Sequence, residues 1–84
     1  MKTIYVLADV YEREVCITKY NTYEDAYRAM KYELDLVLGF DSTDKVAAEE
    51  NGYAPDFDFQ INEWSAWSNV GDQNNDWVIE KFEI

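Results

Sequence analysis

A chain of 84 residues has room for one domain, 1–84, because a second hydrophobic core does not fit into so short a sequence. Its residues are 48% apolar and 17% aromatic, which supplies a dense core and excludes a wholly disordered chain. Eighteen Asp and Glu face seven Lys and Arg with no His, and the resulting net charge of −11 excludes direct binding to a nucleic-acid backbone or to an anionic membrane.

Lys2 to Val10 sets Ile4, Val6, Ala8 and Val10 against Tyr5, Leu7 and Asp9, a pattern that predicts a strand covered on much of both faces. The same run meets Asp9 too early to complete a signal-peptide core, and no uncharged apolar run approaches the roughly 18 residues of a membrane span. The expected location is cytoplasmic. Tyr11 to Glu14 is a polar break, and Val15 to Tyr20 reads as a returning, buried strand. Within it Cys16, the only cysteine, has no internal disulfide partner and reads as a small core residue, not a reactive thiol.

Either Asn21 with Glu24 or Thr22 with Asp25 caps the next element, the clearest helix of the chain. Tyr23, Ala26, Tyr27, Met30, Leu34, Val37 and Leu38 follow its 3.6-residue period, Glu24, Arg28, Lys31 and Asp35 take the wet side, and Gly39 ends it. Ser42-Thr43-Asp44 predicts the cap of a second, short helix through Glu50, stopped by Asn51-Gly52. After Pro55, the alternation of Phe57, Phe59 and Ile61 with Asp58, Gln60 and Asn62 predicts a half-buried strand. Trp64 and Trp67 are three apart, so either the strand bulges between them or one indole faces outward. A polar loop from Asn69 to Asp76 then leads to a last strand, Trp77 to Ile84. The order ββααββ predicts an α+β fold, a mostly antiparallel four-stranded sheet with one long helix packed on one face.

The missing histidine removes Ser-His-Asp and Cys-His arrangements and most zinc sites, and three isolated glycines make no phosphate-binding loop. Neither an enzyme nor a cofactor is expected. Asp72, Asn74, Asp76 and Glu83 occupy positions 1, 3, 5 and 12 of a calcium loop, but its glycine position holds Trp77 and the flanking residues read as strand, so a solvated turn is the expectation and no metal.

Charge is the informative feature. Residues 1–21 are balanced, whereas the 39 residues from Val46 onward carry −8, beyond what solubility asks of a small domain. Asp56 and Asp58, two apart on a strand, place their carboxylates on one side about 6.6 Å apart. Glu63, Asp72, Asp76, Glu80 and Glu83 extend the pattern, and Trp67 is a candidate aromatic anchor beside them. Carboxylates on a rigid sheet can take the places of phosphates in a basic channel, so the expected partner is a basic nucleic-acid-binding protein. The alternative is an accessory domain whose charge serves solubility and whose exposed edge or aromatics form a homodimer.

The small, acidic, aromatic-rich chain, with Thr22-Tyr23-Glu24-Asp25-Ala26 opening a helix after a strand and Trp77-Val78-Ile79-Glu80 near its end, resembles small proteins of phages and other mobile elements. Some of those are DNA mimics that block host restriction or CRISPR nucleases. The resemblance implies a non-enzymatic inhibitor of a nucleic-acid-handling host protein.

Overall fold

A computed structural model of the chain describes residues 2–12, 14–44, 57–70 and 73–84, Phe57 by its backbone alone. Among these residues lie five strands and one helix: β1 (Thr3–Tyr11), β2 (Glu14–Tyr20), α1 (Tyr23–Leu38), β3 (Phe57–Ile61), β4 (Ser65–Val70) and β5 (Gln73–Glu83). The strands form one antiparallel sheet in the order β2-β1-β5-β4-β3. The first and last strands therefore lie side by side at its centre, in register from Thr3 opposite Glu83 to Tyr11 opposite Asn75. The chain leaves the sheet at the β2 edge, passes through α1, and returns at the β3 edge.

The β1–β2 hairpin turns on two residues, with Tyr11 paired to Glu14. Tight hairpins of this length twist correctly when their central residues take positive φ, and Glu12 does so at 55°. A side chain there costs about 1–2 kcal/mol relative to glycine's freedom in the left-handed region. Glu12→Gly is accordingly expected to raise the melting temperature by a few degrees, measured by circular dichroism; an unchanged or lower value contradicts strain at this turn.

Thr22 caps α1, its hydroxyl accepting from the Asp25 amide at 3.2 Å, and Glu24 and Asp25 complement the positive end of the helix dipole. Gly39 closes the helix in the left-handed conformation, its N–H donating to the Asp35 carbonyl at 2.8 Å. Ala26, Met30, Leu34 and Leu38 form the buried stripe and pack on Leu7, Ala66, Trp77 and Ile79 of the sheet. Ala66 and Ser68 give β4 a shallow face toward the helix, while the larger Leu7, Ile79 and Trp77 fill the space above β1 and β5. Among the described residues no helix is long and apolar enough to cross a membrane.

The α+β class and the long helix packed on an antiparallel sheet match the expectation; the strand count and the ββααββ order do not. Asn62, Glu63 and Trp64 form a turn, closed by the Asn62 N–H donating to the Ser65 carbonyl at 2.7 Å, so the predicted strand with its Trp64–Trp67 bulge is two strands, β3 and β4. The sheet has five strands, not four. The expected polar loop from Asn69 to Asp76 is mostly strand, because Asn69 pairs with Asn74 and Val70 with Gln73. Cross-strand pairing satisfies the backbone of these polar residues as well as it would β-branched ones. Ser42 and Thr43 turn around Asp41, and residues 45–56, where the second short helix was predicted, lie outside the described residues. Lys31 and Asp35, predicted on the wet side, are half-buried and joined at 2.7 Å. Asp35 also accepts from the Ser42 amide, and Lys31 reaches Asp41, which stitches the end of the helix to the turn beyond it.

β2 is also not buried. Val15 and Ile17 are 58% and 66% exposed, and Cys16 is exposed rather than part of the core. Val15 and Ile17 lie on the sheet face opposite α1, and Cys16, on the helix side, belongs to the edge strand, which a helix about 10–12 Å across does not fully cover when strands are spaced at about 4.8 Å.

Candidate functional site

Side chains alternate across each strand, so the burial of Asn75, Trp77 and Ile79 fixes the helix-covered face, and Asp76, Val78, Glu80 and Phe82 occupy the opposite one. Cross-strand register carries that assignment over the sheet. Asp76 is flanked by Trp67 and Val10, and Trp67 is flanked in turn by Gln60. Glu80 stands beside Val6, whose other neighbour is Lys19. Asp58 stands beside Asn69, which pairs with Asn74. The open face thus presents an apolar centre of Ile4, Val6, Ala8, Val10, Val15, Ile17, Val78 and Phe82 with three carboxylates and the Trp67 indole among and around it.

The predicted acidic surface is only partly assembled there. Asp58, Asp76, Glu80 and Trp67 share the open face, with successive carboxylates about 12–13 Å apart by strand spacing. Glu83 lies three residues beyond Glu80 on the same strand and takes the opposite side of the sheet, since an odd interval reverses the direction of a strand side chain. Glu63 is exposed in the β3–β4 turn, where its backbone carbonyl accepts the Tyr23 hydroxyl. Asp56 and Asp72 lie outside the described residues. The calcium-loop spacing does not survive as a loop: Asn74 and Glu83 stand at the two ends of a straight strand, about 30 Å apart at its rise per residue.

The three tryptophans divide as follows. Trp77 is in the core, Trp67 is half-buried on the open face, and Trp64 is partly exposed. Trp64 packs on Tyr23 with ring centroids 4.7 Å apart and stacks on Tyr5 at 6.3 Å, while Tyr23 stacks on Tyr27. These rings clamp the β3–β4 turn to the start of α1.

On the covered face the structure assembles a second site that the sequence reading did not single out. A cleft of about 430 Å³ opens between the last turns of α1 and strands β2, β1 and β5. Asp9 stands between Cys16 and Trp77 in the sheet, and Glu33 faces it from the helix. The Trp77 Nε1–H donates to Glu33 Oε2 at 2.9 Å. Burial pushes both carboxyls above their ordinary range; the charge of Asp9 raises Glu33 further, and the indole N–H opposes that rise in part. A signal for Asp9 was present in the sequence, because it falls in phase with Tyr5 and Leu7 on the interior side of β1. Glu33 has a weaker one, three residues from Met30 and four from Val37 on the edge of the apolar stripe.

The two raised carboxyls make a pH prediction. The folded state holds protons at Asp9 and Glu33 more tightly than the unfolded chain, whose groups titrate near 3.8 and 4.5. Their ionisation therefore weakens the fold as pH rises through the raised values, and the loss is complete above them. Asp41 acts oppositely: hydrogen bonds from Lys31 and Thr43 hold its carboxyl well below the usual range, and that contribution is lost in strong acid. The other ionisable groups lining the cleft are Tyr11, Glu14 and Cys16. The melting temperature is expected to be higher at pH 5 than at pH 8, and Asp9→Asn is expected to reduce that difference. An unaltered difference in the variant places the pH response elsewhere.

Comparison with protein-family models, with curated proteins and with solved structures gave no match to the chain. Among the described residues no group of three or more His, Cys, Asp and Glu is arranged to hold a metal ion.

Proposed function

We propose that the protein is a non-enzymatic acidic interaction protein that sets its open sheet face against the basic surface of a nucleic-acid-binding protein. The observation that supports this reading best is the gathering of Trp67, Asp58, Asp76 and Glu80 from three adjacent strands on a sheet face without a helix over it among the described residues. A net charge of −11 steers such a face toward cations over several ångströms, and a half-buried indole beside a carboxylate supplies an anchor once contact is made. Carboxylates held on a rigid sheet stand where phosphates would stand in the partner's channel, which would make the protein a nucleic-acid mimic. Together with the resemblance to small proteins of mobile elements, this points to a defence nuclease as the target.

The test is capture of a partner from bacterial lysate at low salt, followed by salt elution and competition with duplex DNA. A nucleic-acid-binding protein released by both is the expected result. The triple replacement Asp58→Lys, Asp76→Lys and Glu80→Lys, with its fold checked by circular dichroism, is expected to abolish capture. Full capture by that folded variant, or capture indifferent to duplex, overturns the proposal.

A second reading is favoured by Val15, Ile17, Val78 and Phe82, large apolar side chains exposed on the same face. In it two copies stack these faces and the charge serves solubility. Sedimentation velocity separates the two readings, because a dimer built on apolar contact persists at 1 M salt, where the Debye length is about 3 Å, whereas binding to a basic partner does not.

A further inference from the structure

We infer that the cleft between α1 and strands β2, β1 and β5 binds a small organic cation, an ammonium or guanidinium group carried on a short apolar stem. The inference is independent of the open face, which lies on the other side of the sheet. The cleft, at about 430 Å³, falls within the range of small-molecule sites. Its floor is the indole of Trp77 and its helix wall carries Leu36 and Val37, surfaces suited to a hydrocarbon stem.

Two carboxylates face this space, and among the described residues no cation is paired with them. Among the described residues Asp9 has no hydrogen-bond or ion-pair partner, and Glu33 has only the neutral Trp77 N–H. The cations of α1 are engaged elsewhere, Arg28 near Asp25 and Lys31 with Asp35 and Asp41. Uncompensated carboxylates in an apolar recess are costly, and a cationic ligand removes that cost.

Asn75 supplies a separate observation. It is 5% exposed, lines the cleft from β5, and its carboxamide has no hydrogen-bond partner among the described residues. Among the described residues the fully buried side-chain polar atoms without a partner are the Ser42 and Ser68 hydroxyls, so the Asn75 carboxamide keeps contact with solvent through the cleft and stands open to a ligand's polar group. A carboxamide oxygen accepts from the same N–H donors that two carboxylates attract, and a planar guanidinium presents several of them at once. A hard divalent cation fits less well, because it calls for six or more oxygens and half of this lining is hydrocarbon.

The experiment is a titration of the full chain with n-butylguanidinium chloride, followed by the NMR signals of the Trp77 indole N–H and the Asn75 side-chain NH₂. Saturable shifts of both signals are expected, with a Kd on the order of 1 mM for so small a ligand. Asp9→Asn and Glu33→Gln are each expected to weaken binding about tenfold or more. Both substitutions are close in shape to the native residue, and their own amide spectra report whether they fold; Asn75→Ala provides a third variant with the carboxylates intact. Butanol, which has the stem without the charge, is expected to leave the signals in place. A parallel titration with arginine held in a short glycine peptide distinguishes the source of the cation. Tighter binding of butylguanidinium assigns a free small molecule, and tighter binding of the peptide assigns a side chain of a protein partner. Non-saturating shifts, equal shifts with butanol, or undiminished binding by folded Asp9→Asn and Glu33→Gln overturns the inference.

Discussion

Leu34→Ala is expected to lower the melting temperature by at least about 12 °C. An 84-residue domain at the usual stability per residue has about 4–13 kcal/mol to lose. Leu34 is fully buried in the middle of the helix stripe, among Met30, Leu38 and the sheet residues Leu7, Trp77 and Ile79. Truncating such a leucine removes its transfer free energy and leaves a cavity, together about 3 kcal/mol or more. In a domain of this size each kcal/mol moves the midpoint by roughly 4–8 °C. Leu36→Ala is the control: Leu36 is 64% exposed on the same helix, and alanine is the better helix former there. Thermal melts of the two variants are expected to differ widely, and equal melts would contradict the packing of α1 on the sheet.

Trp77 is the other position where one side chain holds much of the domain. At 3% exposure it sits between Asp9 and Ala66 in the sheet and beneath the helix, with its N–H on Glu33. Trp77→Ala is expected to cost about 3–5 kcal/mol, measured by urea unfolding. Trp77→Phe keeps an aromatic filling and removes the hydrogen bond, which leaves Glu33 without its donor and costs about 1–3 kcal/mol. The indole N–H favours the ionised form of Glu33, so its removal raises that carboxyl further. The cost of Trp77→Phe is therefore expected to shrink as the pH is lowered through the raised range of Glu33, where protonation makes the lost donor matter less, and to be largest at pH 8. A pH-independent cost would assign the whole effect to packing and none to the Glu33 contact.

Both substitutions lie where local pattern and tertiary packing meet, and they mark how far the amino-acid order can be read. The helix was legible in outline: its buried stripe and its Gly39 end follow from 3.6-residue periodicity and from cap chemistry confined to neighbouring residues, while the choice of Thr22 over Asn21 as cap and the half-burial of Lys31 and Asp35 came from the structure. The strand of Phe57, Phe59 and Ile61 was legible for the same reason at period two. The division of β3 from β4 was not, because the Asn62–Trp64 turn has neither glycine nor proline to mark it. The polar residues Asn69 and Gln73 to Asp76 gave a loop signal, and only pairing with partners on the neighbouring strand drew them into the sheet.

The candidate sites divide in the same way. That Asp58, Asp76, Glu80 and Trp67 share one face required the register of three strands. Alternation within a single strand states which residues go together but not which face the helix covers. Glu83 shows the limit, since its proximity in sequence to Glu80 said nothing of the opposite sides they take. The cleft depends on contacts between elements far apart in the chain, with Asp9 on the first strand, Glu33 late in the helix, and Asn75 and Trp77 on the last strand.

What the sequence alone determined, then, is what depends on neighbours along the chain: the α+β class, the helix and its ends, the apolar phase of several strands, the absence of histidine chemistry and the excess of negative charge. What only the tertiary structure decided is where α1 lies on the sheet. Among the described residues one helix covers only part of a five-stranded sheet, and that placement buries Trp77, leaves Cys16 on the edge strand exposed, leaves one apolar and acidic face without a helix over it, and sets Asp9 and Glu33 facing each other across a cleft.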